Sequence, residues 1–336
     1  MTTLPPLRSL EAINGLVLPA PDEQAIAAAR ARQDSLTKPP GALGRLEDLA
    51  AFMAGWQGRD RPRINRAQAL VFAGNHGVCA QGVNPFPQSV TAAMVANFQA
   101  GGAAINQLCR QAGADLRVVA LDLERPTADF TTAPAMTEAD CLDALHRGAA
   151  AVDAGADVLV LGEMGIGNST VSAALAHALF GGAPGDWVGR GTGSDADGLA
   201  LKARVVAQGV ARHAGAPPLT LLAALGGREQ AALCGAVLAA RMARVPVILD
   251  GYICTAAVAA LHAARPDALT HCLIGHASAE PGHARLCQAL GKAPILSLGM
   301  ALGEGTGAAL ALGILRAALA CHDRMATFEE AGIAGG

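Results

Sequence analysis

The sequence predicts an α/β fold in which a parallel sheet of about six strands forms the middle of three layers, and three observations carry that expectation. Short apolar runs recur along the chain, a glycine-rich turn closes each of them, and an Ala-rich amphipathic stretch usually follows the turn. Strands that alternate with helices are joined by crossovers, and crossovers build parallel sheets with helices on both faces. The expected arrangement is therefore Rossmann-like.

The units appear in order. "AQALVFAGNHGV" (67–78) leads into "SVTAAMVANFQAGGAAINQLCRQAG", and "LRVVALDLE" (116–124) follows that helix. "ADVLVLGEMGIGNST" (156–170) precedes "VSAALAHALF", and "VPVILDGYICT" (245–255) precedes "AAVAALHAA". "HCLIGHASAEPGH" (271–283) and "APILSLGMALGEGTG" (293–307) complete the set, each running on into apolar helical sequence. The first sixty residues differ: "PDEQAIAAARARQDSL" and "LGRLEDLAAFMAGWQ" read as helices with no strand between them. The stretch "AALALGILRAALACHDRMATFEEAG" reads as helix after the last strand. The expected organisation is a helical part over 1–60, a parallel α/β core over 61–310 and a C-terminal helix over 311–336. The two ends would pack together as one small helical domain.

Composition narrows the function classes. Of 336 residues, 52% are hydrophobic and 16% charged, with 40 glycines and a mean hydropathy of +0.33. No apolar run approaches the roughly 18 uninterrupted residues a spanning helix needs, so a small-residue core accounts for the hydropathy and no membrane association is expected. Eight cysteines stand singly without a C-x-x-C pair, and the N-terminus shows no basic-then-apolar leader pattern. Both point to a cytoplasmic protein without structural zinc. A net charge of −3, 3% aromatics and no Lys/Arg run argue against nucleic-acid binding.

In open α/β sheets ligands bind at the carboxyl ends of the strands, and the chemistry-bearing residues follow the apolar runs. "LGEMGIGNST" offers Gly165 and Gly167 before a helix start at Asn168, Ser169 and Thr170, which suits an anion at a helix N-terminus. A tight strand-to-helix turn capped by Ser or Thr is the plainer account of the same residues. "GRGTGSDADGLALK" brings Gly191, Gly193 and Lys202 together, either for a phosphate or as a solvated loop with an Asp-rich cap. Ser278 and Glu280 precede another helix, and Ser278 reads equally well as its cap. His76 fits a structural histidine, and Asp250 a capping or loop-orienting residue. Residues 296–315 hold one ionisable side chain, Glu304, between glycines. A buried lone carboxylate shifts its pKa, finds a partner or has a task. Glu163 and Glu304 sit in twin loops that both read "LGE". No G-x-S-x-G and no H-x-x-x-H pair appears, so a serine nucleophile and a metal site are both disfavoured. The residues point to a phosphorylated small molecule and a carboxylate base.

The motifs "QDSLTKPPGALGRLE", "FAGNHGVCAQGVNPFPQSVTAAMV", "GGAAIN", "GEMGIGNST", "GRGTGSDADGLALK", "LDGYICTAA", "HASAEPGH" and "LGEGTGAALAL" occur in that order over roughly residues 20–333. In this the chain resembles the nicotinate-nucleotide–dimethylbenzimidazole phosphoribosyltransferase family. The resemblance implies transfer of phosphoribose from nicotinate mononucleotide to 5,6-dimethylbenzimidazole, giving α-ribazole 5′-phosphate and nicotinate, in cobalamin nucleotide-loop assembly. It implies Glu304 as general base with Glu163 assisting. It implies that Gly165, Gly167, Asn168, Ser169, Thr170, Gly191, Gly193, Lys202 and Ser278 hold the nucleotide, and that Phe86, Met94, Met164 and Leu302 face the base. It also implies a homodimer. No cofactor or metal is expected, because a pyridinium leaving group departs neutral and no pyrophosphate has to be neutralised. Many relatives carry Arg where this chain has Ala301, and some carry polar residues at Phe86 and Met94, so a more apolar base pocket is expected. A nicotinate-nucleotide glycosidase and a non-catalytic nucleotide- or base-binding module are the competing readings.

Overall fold

The computed structural model describes residues 4–333. Residues 1–3 and 334–336, which the expected helical ends include, lie outside the described residues. Two helices come first, α1 (Glu23–Ser35) and α2 (Arg45–Gln57), and then β1 (Ala67–Ala73). α3 (Ser89–Ala100), α4 (Ala104–Ala112), β2 (Ala114–Ala120), α5 (Glu138–Ala150) and β3 (Val158–Met164) follow. After β3 come α6 (Asn168–Phe180), α7 (Ala196–Arg212), α8 (Pro218–Leu225) and α9 (Arg228–Met242). The chain continues through β4 (Val247–Leu249), α10 (Tyr252–Ala264), β5 (Cys272–His276), α11 (Gly282–Ala289), β6 (Pro294–Leu296) and α12 (Thr306–Arg324).

The strands form one sheet in the order β2-β1-β3-β4-β5-β6, and every neighbouring pair is parallel. The expected fold class is therefore the observed one. Strand order reverses between β1 and β3, the kind of place where a crevice opens beyond the strand ends.

Side chains along a strand alternate between faces, and the sheet is buried on both. Leu70, Phe72, Leu159, Leu161 and Leu249 join one core with α5, α6, α8, α9 and α10. Val71, Val158, Val160 and Ile248 join a second core with α2, α4 and α12. Along β3 this alternation directs Gly162 towards α12 and Glu163 to the opposite face. β4 is buried all round, so its sequence is apolar without alternation, and α9 is buried along nearly its whole length, Arg228, Glu229, Gln230 and Arg241 included.

The chain ends meet. Arg32 Nε donates to the His322 carbonyl at 2.8 Å, and Gln33 Nε2 lies 2.8 Å from His322 Nδ1. Leu36 pairs antiparallel with Thr327. Leu49 and Met53 of α2 pack in the same core as Leu315 and Leu319 of α12. α12 ends at Arg324, short of the expected helix, because Met325 turns extended (φ −64°, ψ 138°) and the chain then pairs with Leu36.

Two further differences from the sequence expectation have local causes. The long stretch after β1 breaks into α3 and α4, because Gly101 is left-handed at φ 80°. The connection from β3 to β4 is four helices long, and α7 begins inside the stretch read as a glycine-rich loop, capped by Asp195 accepting from the Gly198 amide at 2.9 Å. Among the described residues, no helix is long and apolar enough to cross a membrane.

Candidate active site

Loops after β3, β4, β5 and β6 converge on a cavity of about 180 Å³. Gly162 and Glu163 precede Met164, the last residue of β3, and the chain turns through Gly165 and Gly167 into α6. Gly167 sits at φ 96° and caps α6 with no side chain; the Asn168 amide donates instead to the Gly165 carbonyl at 3.2 Å and the Thr170 amide to the Gly167 carbonyl at 3.1 Å. Ser169 joins the lining from the first turn of α6, whereas Thr170 points away and is buried, its hydroxyl unpartnered. A step of about 100° per residue around a helix separates the two.

Lys202 reaches in from α7. It is 3% exposed, and its Nζ lies 3.4 Å from Ser169 Oγ and 3.3 Å from the Gly189 carbonyl. Burial lowers its pKa, against the opposing charge of Glu280. Glu280 Oε1 accepts from the Gly191 amide at 2.9 Å, which ties the glycine loop to the turn after β5. Ser278 lies in that turn, with its amide donating to His283 Nδ1 at 2.8 Å and its hydroxyl accepting from the Glu280 amide at 3.3 Å. The glycine loop, α7 and the Ser278 turn thus form one polar wall.

Glu163 is 3% exposed and accepts from the Asn168 side-chain amide. Burial holds its carboxyl well above the ordinary carboxylate range. The charges of Asp250, Glu229 and Glu304 push it the same way, and only the Asn168 hydrogen bond opposes. Burial also raises Glu304. Asp250 is pushed up to about 7 by burial, although the amides of Ala308, Gly305 and Gly307 favour its charged form.

Glu304 occupies a strained turn. Gly303, Glu304 and Gly305 are all left-handed, at φ 81°, 65° and 86°, and Glu304 is one of three non-glycine residues with positive φ among the described residues. The turn lies flat on β3. A Cβ placed on Gly162 would fall 2.3 Å from the Gly305 nitrogen and 2.4 Å from the Glu304 carbonyl carbon, so only glycine admits the turn there. At Gly303 a Cβ would approach Glu163 Oε1 to 2.7 Å. The twin "LGE" loops are thus stacked on one another.

The cavity takes in Glu163, Met164, Gly165, Gly167, Asn168, Ser169, Gly191, Lys202, Ser278 and Leu302 from the residues singled out in the sequence. Glu304 lies just behind the lining, which reaches Gly303, and is 6% exposed. Gly193 stays outside, its amide closing a turn on the Arg190 carbonyl at 3.0 Å. Phe86 is 48% exposed and outside the lining, and Met94 packs against the second core, as does Met164. Sequence reasoning assigned no part in the site to Asn84, Tyr252 or Ile253, which line the cavity, nor to Glu229, whereas His276, expected at the ligand-binding strand ends, does line it. Glu229 forms a buried pair with His76, Nε2 to Oε1 at 3.1 Å, beneath the Gly165 turn. Nothing in the local sequence of α9 marks Glu229; the position of His76 just after β1 was the available signal for the pair.

With the geometry in view, comparison with known proteins is decisive. A family model described as "Phosphoribosyltransferase" matches residues 18–333. Relatives from Rhodobacter capsulatus and Ruegeria pomeroyi are 63% and 62% identical, over 94% and 99% of this chain and 95% and 100% of their own length. Both are named nicotinate-nucleotide–dimethylbenzimidazole phosphoribosyltransferase. The chain belongs to that family. The crystal structure of CobT from Thermus thermophilus is similar at TM-score 0.87 and 43% identity, covering 93% of this chain and all of that one. The family match spans every residue of the cavity, from Asn84 to Gly303, and Glu304 behind it.

Proposed function

We propose that the chain transfers the 5-phosphoribosyl group of nicotinate mononucleotide to 5,6-dimethylbenzimidazole, yielding α-ribazole 5′-phosphate and nicotinate. The observation that carries this reading is the stacking of the Glu304 turn on β3 beside Glu163, with the polar wall of Lys202, Ser169, Gly191 and Ser278 bordering the same cavity. One azole nitrogen attacks C1′ of the ribose. The bond from C1′ to the pyridinium nitrogen breaks, and its electron pair returns to that ring, which leaves as neutral pyridine. The proton on the other azole nitrogen passes to the Glu304 carboxylate. A raised pKa suits a group that must take a proton near neutral pH. Glu163, favoured in its protonated form, assists from the same floor without adding a second full charge.

In this reading Gly165, Gly167, Asn168, Ser169, Thr170, Gly191, Gly193, Lys202 and Ser278 serve the nucleotide side, and Phe86, Met94, Met164 and Leu302 the base side. Thr170 and Gly193 would act through the backbone of their turns. Phe86 and Met94 would close over the azole from outside the present lining. The helical ends would act as one unit around α2 and α12. Leu298 and Leu302, 62% and 58% exposed on one loop, present apolar surface that a second copy of the chain would cover in a homodimer. All eight cysteines are free, which suits a reducing cytoplasm.

The deciding experiment incubates purified protein with both substrates and follows products by chromatography and mass. α-Ribazole phosphate and nicotinate in equal amounts are expected. Nicotinate with free ribose 5-phosphate would make the protein a glycosidase, and no turnover with any azole would make it a binding module. For Lys202→Ala the expected result is nucleotide binding weakened about 10- to 100-fold, the worth of a charged hydrogen bond, with azole affinity unchanged. Titration calorimetry with each ligand checks this, and equal loss for both would contradict the proposed layout.

A further inference from the structure

The left-handed Glu304 turn needs something to hold it. Within the turn, the Thr306 amide and hydroxyl both donate to the Gly303 carbonyl, at 3.1 and 2.7 Å. The turn also starts α12, and the helix N-cap is Gly305, which has no side chain with which to cap. The missing cap comes from another strand. Asp250, directly after β4 and 1% exposed, accepts from the Gly305 amide at 3.0 Å through Oδ2 and from the Ala308 amide at 2.9 Å through Oδ1. A carboxylate there satisfies otherwise orphaned amides and favours the positive end of the helix dipole.

We infer that Asp250 is a positioning residue for the Glu304 base: by gripping the amides on the C-terminal side of Glu304, it holds that carboxylate at the reacting nitrogen. The inference rests on the function proposed above. Asp250 borders the cavity, but each of its oxygens is engaged by an amide of the turn, so it acts through Glu304 and not on substrate. His276 flanks it from β5, with Nε2 3.6 Å from Asp250 Oδ1, and is 1% exposed. Burial keeps that imidazole in its neutral form. The ring fills the space on the other side of the carboxylate: a Cβ on Gly251 would come within 2.6 Å of His276 Nε2, and one on Gly307 within 1.9 Å of its Cδ2. Asp250 is therefore held between the amides of the turn and the His276 ring, and the base inherits that rigidity.

Asp250→Asn keeps the shape but sets an amide N–H against a backbone N–H of the turn. The expected result is a fall in kcat of about 10²-fold, the cost of misplacing a catalytic group by about an ångström, with KM for nicotinate mononucleotide within about twofold. Added to Glu304→Gln, the same change should cost less than about threefold more, because it acts through the base already removed. A kcat unchanged in folded Asp250→Asn, or losses that multiply in the double variant, would overturn the inference. Hydrogen exchange over residues 303–308 supplies a readout independent of turnover. Amides of Gly305 and Ala308 should be protected in the native protein and exchange at least about tenfold faster in Asp250→Asn, or in Asp250→Ser if the first variant folds poorly. Unprotected native amides would refute the grip on the turn. Absence of α-ribazole phosphate from the unaltered enzyme would instead refute the proposed reaction, so the two failures are distinguishable.

Discussion

Glu304→Gln should fold normally, bind nicotinate mononucleotide within about twofold of the parent, and lose about 10²- to 10⁴-fold in kcat, the usual contribution of a positioned general base. The substitution keeps size and shape, so the left-handed turn and its seat on Gly162 survive, and only proton acceptance is lost. The pH profile carries a second signature. The base must be ionised to act, and burial raises the pKa of Glu304 above the ordinary carboxylate value. In the parent, kcat/KM should therefore fall as pH drops through that raised value, and the acid limb should lie above the range of a solvated glutamate. The limb belonging to Glu304 should vanish in the Gln variant. Stability should move the opposite way. A carboxyl with a raised pKa in the fold opposes folding once pH exceeds its unfolded pKa, so the neutral amide should melt no lower than the parent at pH 7. A variant within about twofold of parental kcat would end the assignment of Glu304 as base.

Gly162→Ala carries the other large expected effect, and it involves no ionisable group. The added methyl would lie 2.3 Å from the Gly305 nitrogen, 2.4 Å from the Glu304 carbonyl carbon and 2.6 Å from its oxygen. These neighbours are backbone atoms and cannot rotate aside, so the turn must lift from β3. A displacement of about an ångström at a catalytic group costs about 10²-fold in rate, and overpacking of this kind costs about 1–3 kcal/mol. Steady-state kinetics and thermal melting measure both. The expected pattern is a large kcat loss in a protein that still folds, with the Lys202 side of the cavity still binding nucleotide. Parental activity would mean that the Glu304 turn does not rest on β3 in the working enzyme.

The two effects separate what is local from what is not. The strand–turn–helix units were legible because neighbours in sequence encode them: apolar alternation, glycine at the turn, and Ala-rich helix beyond. Glu163 and Glu304 stood out for the same reason, as charges in apolar surroundings. The expectation that Ser169, Lys202 and Ser278 share a site came from the family resemblance; Ser169 and Ser278 follow strand ends, whereas Lys202 lies within α7. Other features left no local mark. Phe86 and Met94 follow β1, yet Phe86 projects into solvent and Met94 packs towards the second core. Whether a side chain in a long connection faces the cavity depends on how α3 lies against the sheet, which spacing does not encode. Glu229 reads as an ordinary residue near the start of α9, and only burial against His76 gives it a place beneath the turn.

By itself the sequence determined the fold class, the family, and the residues whose chemistry stands out from their neighbours, because those properties reside in composition, periodicity and ordered motifs. Tertiary structure alone decided that Gly162 is the seat of the Glu304 turn, that Asp250 caps a helix belonging to another strand's loop, and that Glu304 lies just behind the cavity lining. The physical reason is that each of these is a contact between segments distant in the chain. Such a contact is set by how two packed layers bring strand ends together, and no run of neighbouring residues records it.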